Sequence, residues 1–167
     1  MKLGEIARVA RGVVTGNSRL FIMTRSEAAE RHLERFVKPV LGGRSAFPKD
    51  GKPVVHDNPD RKVVLIANAR ELAEFPALRA YLGESAPRLA AVRIAPIAAT
   101  YVGIPRFVAN PDGLVITNAL YTVTPRQTMS AKEIVALVEQ LNGAMKKLPK
   151  PRFAERYTPR TLESLDI

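Results

Sequence analysis

One segment of this sequence carries a clean helical period, and its one-sided face demands a partner surface. From Ile134, apolar residues recur at Leu137, Val138, Leu141, Met145 and Leu148, a spacing that gathers them on one side of a helix. Ser130-Ala131-Lys132-Glu133 has capping-box spacing at its start, Lys146 and Lys147 suit its C-terminal dipole, and Pro149 stops it. The other apolar segments are short runs bounded by turn formers. Strands and helices mix without strict alternation, which points to an α+β fold: a mixed, mainly antiparallel sheet with flanking helices. A length of 167 residues fits a single domain.

The opening reads strand, turn, strand. Residues 6–11 alternate apolar with basic, Gly12 suggests a bulge, and Val13-Val14 resume β-branched character. Residues 15–18 are turn chemistry, so residues 20–23 are expected as the return strand of a hairpin. Thr24 to Glu27 has capping-box spacing for a helix reaching Arg35, and residues 36–43 read as an extended turn leading to Arg44. Residues 47–61 are rich in turn formers and form a surface excursion; residues 62–67 are an apolar run suited to a buried strand. Asn68 to Glu71 is another capping box, Pro76 starts a further helix ending at Gly83, and Pro87 opens a helical segment to about Arg93. Residues 99–108 and 114–124 read as two strands around the turn Asn110-Pro111-Asp112-Gly113, and residues 161–165 as a terminal helical turn.

Charge narrows the function classes. Twenty-six Lys and Arg stand against sixteen Asp and Glu, a net charge of +10, and residues 1–46 hold nine basic and four acidic side chains. Such an excess suits a polyanionic partner. Zero cysteines remove disulfides, thiolate metal sites and cysteine nucleophiles together. His32 and His56 have no companion at metal-ligand spacing. No run of eighteen apolar residues and no leader pattern appears, so a cytoplasmic protein with no membrane partner is expected.

Residues 12–18 first look like a phosphate cradle, but three residues separate Gly12 from Gly16 and no Lys-Ser or Lys-Thr follows. No G-x-G-x-x-G exists, and no carboxylate pair stands out as acid and base. What remains is a loop carrying Thr15, Asn17, Ser18 and Arg19. Asn and Arg read base edges bidentately, and Ser or Thr suits phosphate. The plainer reading is a β-turn in which Gly16 and Asn17 supply positive φ.

Residues 12–22, "GVVTGNSRLFI", resemble the "G-I-x-T-G-x-N-x-x-F" opening of the C-terminal target recognition domain of type II adenine-specific DNA methyltransferases. Residues 2–6, "KLGEI", resemble the "L-G-E-I" start shared with type I restriction specificity subunits. Residues 37–44, "VKPVLGGR", are similar to that family's "K-P-x-x-x-G-R-D" segment, with Ser45 in place of the acid. Looser likenesses follow at Tyr81-Leu82, residues 89–93, 104–107, 118–121 and 137–142, in family order.

The resemblance implies a module that binds double-stranded DNA and sets the sequence at which an adenine is methylated. The catalytic domain, in cis or trans, would supply S-adenosylmethionine and flip the base; this chain would hold no cofactor and no catalytic residue. DNA contacts are expected at Arg11, Thr15, Asn17, Ser18, Arg19, Lys38 and Arg44, with Arg106 next. Half of a type I specificity subunit is an alternative, although the helix over residues 130–148 is short for that subunit's spacer. An RNA-binding or ribosome-associated protein is another. Four Tyr, six Phe and no Trp make a poor stacking platform for it.

Overall fold

The computed structural model describes residues 1–15, 18–83, 93–149 and 156–167. The chain starts in a single helical turn, α1 (Leu3–Ile6), and passes directly into β1 (Ala7–Arg11). A second single turn, α2 (Ser18–Phe21), leads to β2 (Ile22–Met23), α3 (Arg25–Glu30) and β3 (Val37–Leu41). After the excursion come β4 (Val63–Leu65), α4 (Ala69–Glu74) and α5 (Pro76–Leu82). Then follow β5 (Ile97–Ala99), β6 (Phe107–Ala109), β7 (Val115–Ile116), β8 (Tyr121–Pro125), α6 (Ala131–Met145) and α7 (Pro159–Glu163).

Among the described residues the strands form two four-stranded sheets, ordered β1-β8-β5-β6 and β2-β4-β3-β7. Every pairing is antiparallel except β3 with β7. The fold is α+β.

Side-chain alternation explains the layering. In the first sheet Ala7, Val9, Ile97, Ala99, Phe107, Ala109 and Val123 point to one side and pack on Ile134, Leu137, Val138, Leu141 and Met145 of α6. Each large side chain buried there is worth about 1.5–3 kcal/mol. The intervening Ala98 and Val108 join Leu41, Leu114 and Ile116 in a core between the sheets. Val40 and Val115, one residue before Leu41 and Ile116, face a third core with Ala28, Leu78 and Leu82 of α3 and α5.

Both edges of the first sheet are covered. The backbone N–H of Val9 donates to the Glu163 carboxylate of α7 at 2.7 Å. On the far edge, Asn142 of α6 makes two bonds to Phe107, accepting from its N–H and donating to its carbonyl, both at 2.9 Å. Val54 bridges to Ala109 beside it. Edges closed this way cannot template pairing with another chain.

Several expectations change. The opening hairpin does not form: β1 pairs with β8 and β2 with β4, in different sheets. At Gly12 the backbone lies so close to the Thr117 carbonyl that a Cβ would sit 2.0 Å from its oxygen. That contact directs the chain out of the first sheet, and Val13 bridges to Thr117. Residues 18–21 are helical rather than extended.

The helix from Thr24 stops at Glu30 instead of Arg35. His32 takes φ 56°, with His32 N–H bonded to Ala29 O and Leu33 N–H to Ala28 O, a Schellman ending that buries Leu33. Residues 37–41 form a strand, because β4 and β7 flank them on both sides.

The two long strands expected over residues 99–124 each break. The hairpin is β5–β6, and the turn at residues 110–113 carries the chain from β6 in one sheet to β7 in the other. Asn110 fixes that turn with its buried side chain, donating to Ala95 O and Leu114 O and accepting from Leu114 N–H. The capping boxes at Thr24, Asn68 and Ser130 form as expected. The helix expected from Pro87 falls outside the described residues except for Arg93, which is not helical.

Candidate nucleic-acid interface

A groove of about 730 Å³ opens between α2, the end of β3 and the strap leading into β4. One wall carries Ser18 and Arg19. Phe21, 1% exposed, roots that helical turn in the core, and Tyr81 Oη donates to Leu20 O at 2.6 Å. The opposite wall is Gly42, Gly43, Ser45 and Ala46. It is pinned by Thr117 Oγ1, which donates to Gly42 O at 3.0 Å, and by buried Phe47 just beyond. A Cβ at Gly42 would meet nothing within 4 Å, so the bare backbone leaves the wall open to a ligand's approach.

Arg61 and Lys62 close the groove. The Arg61 side chain is only 8% exposed; its Nη2 donates to His56 O at 2.7 Å, and its Nε lies 3.6 Å from Asp57 Oδ1. Burial pulls the Arg61 pKa down and Asp57 opposes the shift, and a guanidinium remains charged throughout. Asp57 is shared, since Arg25 Nη2 binds both its oxygens at 2.8 and 2.9 Å.

Glu27 also lines the groove, but it serves the α3 capping box. It accepts from Thr24 N–H at 2.7 Å, and that bond with the Thr24 side chain holds its carboxyl below the usual range. The local balance is cationic, with Arg19, Arg61 and Lys62 against Glu27 and the partly shared Asp57. Hydroxyls at Ser18, Thr24 and Ser45 add donors. The described lining contains no histidine to serve them as a base. Guanidinium, ammonium, hydroxyl and open backbone together suit phosphate oxygens.

The residues expected to touch DNA separate into groups. Ser18 and Arg19 line the groove, and Arg44 lies exposed in the Gly43–Ser45 wall. Lys38 is exposed on β3, opposite Val64 and two residues from groove-lining Val40, hence on the same strand face. Arg19, Lys38 and Arg44 make no ion pair with any described residue.

Arg11 is not brought there. It lies at the end of β1 beside the Tyr121 hydroxyl, whose pKa burial pushes up and Arg11 draws back. Arg106 is half-buried, donating to Pro48 O and resting 5.6 Å over the Phe47 ring. Thr15 is half-buried on the approach to α2, and Asn17 lies outside the described residues. Arg61 and Lys62 were not singled out from the sequence. The adjacent basic pair just before an apolar strand was the available signal.

No protein-family profile and no curated protein matches this chain. Among the described residues, no helix is long and apolar enough to cross a membrane.

Proposed function

We propose that this chain is a DNA target recognition module. It binds duplex DNA through the groove at Arg19, Arg44, Arg61 and Lys62, and in the cytoplasm directs adenine methylation by an associated catalytic domain that carries S-adenosylmethionine. One observation supports this most. Two sequence blocks that resemble the target recognition domains, residues 12–22 and 37–44, are distant in the chain yet both line one cationic groove. Exposed Lys62 anchors phosphate, with Arg61, held by Asp57 and the His56 carbonyl, adding positive charge behind it, while the exposed side chains of the α2 turn reach toward base edges.

Titrating the 167-residue chain with a random-sequence duplex from 50 to 200 mM salt tests the binding. Neutralising about four to seven phosphates gives a slope of log affinity against log salt of roughly −3.5 to −6. A flat slope, or preference for single-stranded RNA, would set the duplex reading aside. Calorimetric titration with S-adenosylmethionine should give no saturable heat. Micromolar binding here would remove the need for a separate catalytic partner.

A further inference from the structure

We propose a second anion site for a phosphodiester backbone, on the open face of β1 and β8, where Arg8, Arg93, Thr122 and Thr124 line a cleft of about 390 Å³. The proposal rests on the duplex-binding reading above but concerns a surface separate from the groove. Register places Arg8 opposite Thr124 and Ala10 opposite Thr122. These four positions alternate with Ala7, Val9 and Val123, which face α6, so they stand on the other side of the sheet. Farther along that side, Ala98 and Val108 are covered by the core between the sheets. Toward the outer part of β1 and β8 the cover thins: Thr122 is still buried, while Arg8 and Thr124 are exposed.

A polar outer face is ordinary for an antiparallel sheet. A second arginine arriving from another segment is not explained by that. Arg93 is fixed at the cleft by two bonds: its Nη1 donates to Arg11 O at 3.1 Å, and its carbonyl accepts from Ile116 N–H at 3.1 Å. The Arg8 side chain has no hydrogen-bond or ion-pair partner among the described residues, and the described lining has no carboxylate. Thr122 donates to Ala10 O at 3.2 Å, whereas Thr124 is exposed and its hydroxyl has no hydrogen-bond partner among the described residues. Two arginines and a threonine hydroxyl line one cleft with no carboxylate among its described lining, which suits an anionic oxygen.

The frame joins this cleft to the groove. β1 carries Arg8 and ends at Arg11; the next residue, Gly12, presses its backbone on Thr117, and Thr117 in turn bonds Gly42 in the groove wall. A polymer with regularly spaced phosphates can use both sites at once; a single free phosphate gains nothing from the second.

The test uses the full chain, with Arg8→Gln as the deciding variant because the Arg8 side chain makes no hydrogen bond or ion pair with a described residue and the substitution leaves its ladder pairing in place. Arg8→Gln should weaken binding to all duplexes alike and reduce the salt slope by about one, and Arg8→Gln/Arg93→Gln by about two. Inorganic phosphate at millimolar concentration should not displace the duplex. If the wild-type slope is steep and Arg8→Gln leaves slope and affinity unchanged, the cleft is not a phosphate site and the duplex reading stands. Displacement by inorganic phosphate that is lost in Arg8→Gln would make it a free-anion site and overturn the phosphodiester assignment. A wild-type chain without salt-dependent duplex binding would remove both.

Discussion

Gly12 and Thr117 meet where the two sheets join, and no side chain fits between them. A β-carbon 2.0 Å from a backbone oxygen cannot be relieved by rotating a side chain, so the backbone itself has to move. Gly12→Ala should therefore destabilise the protein by at least about 1–3 kcal/mol, the usual cost of overpacking, as measured by urea denaturation. It should also weaken duplex binding, because Thr117 holds Gly42 in the groove wall. A neutral Gly12→Ala would mean that this contact is looser than described. The sequence marks Gly12 as special only by type, as a break in an alternating run; the carbonyl it faces lies over a hundred residues away and leaves no local trace. Arg61 is similar. Its neighbourhood of turn formers says surface, yet its stem is buried and its charge is held by Asp57.

Helix starts were the most legible elements, because a capping box is completed within four residues and needs no distant partner. Glu27 and Glu133 accept backbone and hydroxyl hydrogen bonds from Thr24 and Ser130, and both carboxyls are held below their ordinary value of 4.5. A carboxyl with a lowered folded pKa contributes stability that is present above pH 4.5 and lost as pH falls through the folded value. The stability difference between wild type and Glu133→Gln should thus be visible at pH 7 and shrink as pH falls below 4.5 through the folded value. Denaturation midpoints measured from pH 7 down through the acid range would show it; a difference that does not shrink as pH falls would mean Glu133 does not act through its charge. Strand pairing was much less legible. Alternation across residues 6–11 reveals which side chains are buried, but says nothing of whether the neighbour is residue 22 or residue 123. Hence the groove walls were identifiable as segments, while their meeting in one groove was not.

At the scale of the molecule, the chain begins in the first sheet, supplies β2, β3 and β4 to the second, returns for β5 and β6, leaves again for β7, and comes back for β8. Neither sheet is a contiguous stretch, so neither can unfold while leaving the other intact. Tyrosine fluorescence samples the packing around both sheets, with Tyr81 against the core of the second and Tyr101 stacked at 4.4 Å on Tyr121 of the first, and far-ultraviolet circular dichroism reports on the whole fold. The two should give coincident urea transitions; separated midpoints would show that the sheets are independent. The same interleaving imposes a schedule on biosynthesis. β1 is made well before its partner β8, with Ala7 awaiting Pro125. At about 5–20 residues per second that wait is on the order of ten seconds. Throughout it, Ala7 and Val9 of the nascent strand lack both the sheet and the α6 face they pack against.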